Sequence, residues 1–329
     1  MIVVTGAAGF IGSNIVADLL AEDRSREIVV VDRFGTDERW RNLARHPVDH
    51  FVDPTRLDIF LAAHGDEIEA IIHMGAIATT TERDVDRLVR CNIEATVQLW
   101  DWCAMRQVPF LYASSAATYG GRERGFADDD SPDALAALAP LNAYGWSKHA
   151  TDMLLARRVA AGRPAPPFWA GLKFFNVYGP NEYHKGDMAS VAYKLHAQAM
   201  RGETVHLFRS YRPGIADGEQ RRDFIHVRDC TRAILWLLNN RGRSGLYNVG
   251  TGEARSFLDV VRALARAMGR EVNVEFIDMP EPIRARYQYF TEADTAKLRG
   301  AGLTAPCYTL EQGIADYVRG YLGRDDGYR

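Results

Sequence analysis

Tyr144 and Lys148 stand one helical turn apart in the run Tyr144-Gly-Trp-Ser-Lys148. On a helix, positions i and i+4 share a face, so a phenol and an ammonium are expected side by side. That neighbourhood favours the phenolate and lowers a pKa that is ordinarily about 10. The tyrosine then takes or gives a proton near neutral pH, as carbinol–ketone interconversion requires. Ser115, just after the apolar run Phe110–Ser114, is expected to hydrogen-bond the same carbinol oxygen. A tyrosine and a lysine at this spacing also occur as a plain exposed helix pair, so the company they keep decides the reading.

That company starts with Gly6, Gly9 and Gly12, which follow an apolar strand and open a helical pattern. Glycines there permit a tight turn and a close approach of backbone to a pyrophosphate, and the helix N-terminus offers unpaired N–H groups to the anion. The spacing G-x-x-G-x-x-G is a variant of the dinucleotide fingerprint. Asp32 ends the second strand 20 residues past Gly12, where an acid accepts hydrogen bonds from the adenosine ribose. Arg33 beside it suits a 2′-phosphate, so NAD and NADP both stay open. Asp53, after Phe51-Val52, is expected near the adenine at the end of the third strand, with a plain loop acid as the competing reading.

Positioning these groups takes alternating strands and helices. Ile2–Thr5, Ile28–Asp32, Ala70–His73, Phe110–Ser114 and Gly171–Phe175 are short and apolar, as strands buried on both faces of a parallel sheet are. Ile11, Ile15 and Leu19, then Ile93, Val97 and Trp100, recur at helical spacing. The pattern implies an α/β fold built on a Rossmann doubly wound parallel sheet. Beyond Asn176 the rhythm changes. Helical stretches are expected at 188–201, 231–239 and 257–268, extended ones at 224–227 and 245–252, and a polar, arginine-rich loop at 209–222. We expect an NAD(P)-binding domain over 1–175 and a smaller α/β lobe over 176–329 that mainly binds substrate, with the chain crossing back to the sheet.

The 329 residues carry a formal net charge of −3. This argues against nucleic-acid and membrane partners without excluding an anionic small ligand. The four cysteines lie far apart with no C-x-x-C, so a cytoplasmic setting is expected and a disulfide framework or zinc site is not. The first residues run straight into a strand without a signal-peptide pattern, and no apolar run approaches the ~20 residues that span a bilayer. Asp128–Asp130 reads as a surface loop with no metal, and Arg83, Asp84, Asp86 and Arg87 read as a solvated helix face.

VTGAAGFIGSN (4–14), HMGA (73–76), YASSAATYG (112–120), YGWSK (144–148), FNVYGP (175–180), RDFIHVRD (222–229) and NVGTG (248–252) fall in one order along the chain. Together they resemble the extended short-chain dehydrogenase/reductase family over essentially its whole length. SSAATYGG (114–121), His184-Lys185-Gly186-Asp187-Met188-Ala189-Ser190 and Ala285-Arg286-Tyr287-Gln288 are similar to that family's ADP-heptose 6-epimerase branch. The resemblance implies a nucleotide-sugar isomerase of lipopolysaccharide biosynthesis that oxidises C6 with bound NADP and re-reduces the ketone from the opposite face. Tyr144 and Lys185 would be bases on the two faces, and Lys148 would bind cofactor. Phe10, Ile11, Met74, Gly75, Ala76, Ile77, Ala78, Asn92 and Val177 would line the cofactor. Ser115, Asn176, Phe208, Arg209, Ser210, Tyr211, Arg222 and Tyr287 would contact the ADP-sugar. Family members carry basic residues where this chain has Gly35 and Pro54, so Arg33 or Arg39 has to serve the 2′-phosphate. Asp187 and Lys194 replace a serine and a histidine at the substrate site. Arg222 and Arg286 adjoin aromatics and have the planar fork that suits pyrophosphate, though surface ion pairing explains such arginines equally well.

The chemistry agrees. An unactivated carbinol cannot be inverted by proton abstraction, but a nicotinamide can take its hydride and return it. A 4,6-dehydratase needs an acid and a base just after the serine position, where this chain has Ala116-Ala117. A UDP-sugar 4-epimerase shares the Ser/Tyr/Lys set and is the alternative, against which the His184-Lys185-Gly186 stretch argues. A non-catalytic dinucleotide sensor has no use for Tyr144 or Lys148. We expect a homo-oligomer.

Overall fold

Six strands, β1 (Ile2–Thr5), β2 (Ile28–Val31), β3 (His50–Val52), β4 (Ala70–His73), β5 (Phe110–Ser115) and β6 (Trp169–Phe174), open the computed structural model, which describes residues 1–284 and 287–329. Every pairing among them is parallel. Ile2 and Val4 enter the core on one face of the sheet and Val3 the core on the other. A strand covered on both faces keeps no polar side, which is why Ile2–Val4 and Ile28–Val31 are continuously apolar. Ile15 and Leu19 of the Phe10–Glu22 helix cover the first face. Trp100 and Cys103 of the Ala95–Arg106 helix and Leu155 of the Ala143–Ala160 helix cover the second.

The chain continues through β7 (Asn176–Tyr178), β8 (Val205–Phe208), β9 (Arg221–His226), β10 (Gly245–Val249), β11 (Ala254–Ser256) and β12 (Val274–Ile277). Strand β10 pairs in parallel with β6, giving a seven-stranded sheet in the order β10-β6-β5-β4-β1-β2-β3. β7, β9 and β11 make a three-stranded sheet, and β8 and β12 a two-stranded one. Ile234 and Leu238 of the Val227–Asn239 helix share a core with Ile15 and Leu19. A separate core of Leu195, Leu207, Phe224, Val261, Leu264 and Ile314 fills the later part of the chain.

This is the expected α/β doubly wound sheet. Its order reverses at β1, with β2 and β3 on one side and β4 and β5 on the other, and such a sheet binds ligands at the carboxyl ends of the strands beside that reversal. The helix expected from residue 188 begins at Val191, because Ser190 caps it by accepting the Tyr193 N–H (3.2 Å). A 3-10 turn, Tyr183–Met188, precedes it. No helix among the described residues is long and apolar enough to cross a membrane.

Candidate active site

A cavity of about 740 Å³ opens at the carboxyl ends of β1 and β4. Gly6, Gly9, Phe10, Ile11, Gly12, Asp32 and Arg39 line it, as do Met74, Gly75, Ala76, Ile77 and Ala78. Gly6 turns at φ +63°, and a Cβ there would lie 2.7 Å from the Gly75 nitrogen. A Cβ on Gly12 would collide with the Gly6 carbonyl oxygen. The backbone after β4 at Gly6, and the glycine loop's own backbone at Gly12, therefore exclude any side chain at either place. The first-turn N–H groups of the Phe10–Glu22 helix have no intrahelical acceptor and belong to residues on the cavity wall, a donor set that fits a dinucleotide pyrophosphate. Asp32 accepts the Ala8 N–H (2.8 Å) and the Arg33 N–H (2.7 Å), which fixes its carboxylate at the end of β2. Burial raises its pKa. The Nε and Nη2 of Arg39 are held by Asp37 at 2.9 and 2.7 Å.

Buried polar groups brace the wall of residues 74–78. Thr96 Oγ1 donates to the Asn92 carbonyl (2.7 Å), so it accepts from His73 Nε2 (3.1 Å). His73 Nδ1 then accepts from Thr5 Oγ1 (2.6 Å), which in turn accepts the Gly75 N–H (3.0 Å). This network requires a neutral imidazole, and burial pushes its pKa down to about 3. Asn92, in a π-helical turn at Val89–Glu94, accepts the Ile77 N–H (2.8 Å) and donates to the Ile77 carbonyl (3.0 Å). It is buried behind the wall and clamps Ile77, one of the residues that line the cavity. Such π turns recur at functional sites.

Ser115, Tyr144 and Lys148 line the same cavity. Ser115 Oγ accepts the Ala117 N–H (3.1 Å). Tyr144 lies in the first turn of a helix capped by Asn142, which accepts the Gly145 N–H (2.8 Å). Lys148 is buried, and its Nζ donates to the Ala113 carbonyl (2.8 Å). Burial works against the expected phenolate. It pushes the Tyr144 phenol above its ordinary pKa, a hydrogen-bonding contribution from Ser115 pulls it back, and the Asp152 charge raises it again. Burial also pushes Lys148 down to about 8, against the pull of Asp152. Asp152 accepts from Tyr112 (3.0 Å), Ser114 (2.7 Å) and Lys173 (2.6 Å), a buried knot that ties this helix to β5 and β6.

Lys185, His184, Asn176 and Val177 line the cavity from the far side of the sequence. The Lys185 Nζ lies 5.0 Å over the Phe10 ring. Burial pushes its pKa down, with Glu182 opposing and Lys194 adding to the fall. Asn42 joins this loop to the glycine loop by donating to the Ala8 carbonyl (2.8 Å) and the Asn181 carbonyl (3.2 Å). Its amide also lies 3.3 Å from His184 Nδ1, on an imidazole that burial pushes down to about 4.

Phe208, Arg209, Ser210, Tyr211, Arg222 and Tyr287 do not reach the cavity wall and gather instead around β8 and β9. The Arg222 guanidinium, buried, lies 5.2 Å over Tyr287 and 5.8 Å over Phe257, and Phe257 itself lines the cavity. Arg209 bonds the Phe276 carbonyl (3.2 Å), and the Tyr211 hydroxyl bonds Asp278 (2.9 Å). Arg286 lies outside the described residues. Lys194 is exposed and donates to the Asp187 carbonyl (3.2 Å), and neither residue lines the cavity. Asp53 is an exposed loop acid after β3 whose carboxylate accepts the Thr55 N–H (2.8 Å), and it is not on the cavity wall. Arg33 is exposed and off the cavity, leaving Arg39 as the basic residue beside Asp32.

Thr79, Thr80, Arg87, Met188 and Ser190 also line the cavity and go beyond the sequence reading. The hydroxyl run Thr79-Thr80-Thr81, directly after a cofactor-wall motif, was a usable signal. Arg87 corrects the reading of its cluster as wholly solvated: it reaches the cavity while pairing with Glu82 (3.1 Å). Asp128 is buried and accepts the Asn248 N–H (2.8 Å), which ties this loop to β10, while Asp129 is exposed as expected of a surface loop. Among the described residues no three His, Cys, Asp or Glu side chains gather as a metal site.

The family model for the NAD dependent epimerase/dehydratase family matches residues 2–250. An ADP-L-glycero-D-manno-heptose-6-epimerase of Nitratidesulfovibrio vulgaris (strain Hildenborough) is 48% identical over 99% of both chains. One from Fusobacterium nucleatum is 44% identical over 100% of both. The crystal structure of Helicobacter pylori ADP-L-glycero-D-manno-heptose-6-epimerase superposes with a TM-score of 0.80 at 27% identity, covering 97% of this chain and 95% of that one. Thermus thermophilus UDP-glucose 4-epimerase, solved with NAD, gives 0.77 at 28% identity, covering 97% of each.

Proposed function

The chain belongs to the NAD dependent epimerase/dehydratase family, and on that premise we propose that it inverts C6 of ADP-D-glycero-D-manno-heptose to give ADP-L-glycero-D-manno-heptose. The observation that carries this reading is one cavity lined by a dinucleotide cradle, by Ser115 and Tyr144, and by Lys185 from a different element. The full-length relatives at 44% and 48% identity supply the sugar.

A nicotinamide dinucleotide, when bound, supplies the acceptor and donor of the C6 hydride. The chain's own residues handle the protons. Lys185, which burial inclines toward the neutral amine, takes the carbinol proton of one epimer. Ser115 holds the carbinol oxygen. Tyr144, which burial inclines toward the protonated phenol, delivers its proton to the ketone oxygen presented from the other face. In the opposite direction the two exchange roles. C6 lies outside the sugar ring, so rotation about one C–C bond re-presents it. Lys148 holds the cofactor, and Arg222 with Tyr287 reads the ADP end. The cofactor is read as NADP, with NAD as the alternative, because Arg39 stands on the wall beside Asp32.

Residues 1–175 then serve the cofactor and 176–329 mainly the substrate. Trp146, Leu154 and Val159 on one helix and Met105 on its neighbour are exposed apolar groups, which supports a homo-oligomer. Four free cysteines favour the cytoplasm as the setting.

The test is to denature purified protein, identify the released dinucleotide, and follow ADP-D-glycero-D-manno-heptose by NMR with UDP-galactose as control. The reading expects bound NADP, C6 inversion without added cofactor, and no change in the control. Activity strictly proportional to added NADP would point to a dehydrogenase instead.

A further inference from the structure

The loop that carries Lys185 runs from Gly179 to Ser190 with a carboxylate near its start. Glu182 is 0% exposed. Its Oε1 accepts the Gly179 N–H (3.2 Å) and the Ser190 hydroxyl (2.7 Å), and its Oε2 accepts the Ser190 N–H. One side chain thus closes the two ends of the loop on each other. The Lys185 N–H donates to the Glu182 carbonyl (3.0 Å), so the lysine leaves this staple within a single turn.

Burying a carboxylate costs several kcal/mol unless partners compensate, and here backbone N–H groups reach both oxygens, which an amide with a single acceptor oxygen could not satisfy. An amide also lacks the charge. Lys185 faces Glu182 from its own loop and Lys194 from the next helix. Arg39 and Asp37 reach only its neighbour His184 among these groups, and the first helix presents the Phe10 ring. Tyr317 packs beside Glu182 from the Leu310–Tyr317 helix. Burial raises the Glu182 carboxyl above its ordinary pKa, with the Lys185 charge and the Ser190 and Gly179 donors pulling it back. As the carboxylate it is the group that favours the Lys185 ammonium against burial.

We propose that Glu182 is a positioning residue for the Lys185 base: it fixes the loop that aims the amine into the cavity and supplies the negative charge against which that amine works. The proposal rests on Lys185 being the second base.

Glu182→Gln keeps the size but loses the charge and one acceptor of the staple, whereas Ser190→Ala keeps the charge and loosens the staple, so only the pH profile isolates the charge. Both should lose about tenfold or more in kcat with KM moved less than about threefold. Glu182→Gln alone should also shift one limb of the kcat–pH profile to lower pH, because an ammonium without its carboxylate gives up its proton more easily. Wild-type kcat in Glu182→Gln, or limbs that stay in place, overturns the proposal. If that variant does not fold, Glu182→Asp takes its place: the charge sits on a shorter arm, so kcat should fall with no limb shift, and wild-type kcat overturns the proposal. Lys185→Met separates this from the parent reading. Full kcat there sinks the second base itself, whereas lost kcat there beside an unaffected Glu182→Gln sinks only the role given to Glu182.

Discussion

Tyr144 and Lys185 divide the proton work in this reading, so each should leave its own kinetic trace. Tyr144→Phe removes one hydroxyl and should cost about a hundredfold or more in kcat with circular dichroism unchanged. Near-wild-type turnover would remove Tyr144 from the mechanism. Lys185→Met should abolish epimerisation while substrate binding weakens modestly, since its interaction is made mainly in the transition state. A lysine that only neutralised phosphates would raise KM and spare kcat. Lys148 titrates at about 8, so its ammonium is present below that pH and lost above it. Cofactor affinity measured by fluorescence titration should weaken from about pH 7 to 9, and Lys148→Met should bind more weakly with that trend flattened. An unchanged slope in the variant would exclude Lys148 as its source. The reacting groups were legible because the type and spacing of Ser115, Tyr144 and Lys148 carry chemistry by themselves. Their protonation was not. Whether Lys148 faces a phenol or the Ala113 carbonyl depends on burial and on Asp152, which no spacing encodes. Asn92 shows the same limit, since a clamp behind a wall and a contact on it look alike in one dimension.

The wall between β1 and β4 depends on elements meeting closely. Gly12→Ala would drive a methyl into the Gly6 carbonyl oxygen, so it should destabilise by about 1–3 kcal/mol and abolish dinucleotide binding. Calorimetry and cofactor retention check both, and a cofactor-replete alanine variant would contradict the packing argument. His73 ties the same two strands while neutral, with a folded pKa of about 3 against an ordinary value of about 6.5. Its contribution is complete above about pH 6.5 and is lost as pH falls toward 3, by up to about 1.4 kcal/mol per pH unit. Urea unfolding between about pH 6.5 and 5 should show a steeper fall for the wild type than for His73→Asn, and equal slopes would refute the assignment. Strands of the large sheet were legible because burial on both faces leaves an unbroken apolar run. Strands β7, β8 and β12, three or four residues each, leave no such mark, and tertiary pairing alone makes them strands.

At the scale of the whole molecule, residues 326–329 bind three distant parts together. The Arg329 side chain reaches Asp18 and Asn14 on the first helix, and its N–H donates to Asn181 Oδ1 (2.9 Å). Tyr183 in the Lys185 loop donates to the Gly327 carbonyl (2.7 Å), and Arg41, close to Arg39, lies 4.6 Å over the Tyr328 ring. Deleting 326–329 should lower the thermal midpoint by roughly a few degrees and loosen cofactor retention, read by calorimetry and by dinucleotide content after dialysis. A deletion with unchanged midpoint and content would show that these contacts contribute nothing measurable. Sequence alone gave no hint of this tie, since its partners are scattered from Asn14 to Arg329.

The pairing of β10 with β6 also governs how the protein comes into being. β5 pairs one edge of β6, but the other edge has no partner until Val249 has been made. At about 5–20 residues per second, the nascent chain carries that unpaired strand edge for several seconds. Such an edge is a template for the wrong neighbour. Residues 1–175 made alone should accumulate as insoluble material, and overproduction without chaperones should waste half-made chains while the finished protein stays soluble. For a sheet completed this late, the speed of the ribosome and the presence of a holdase set the yield as much as the stability of the finished fold.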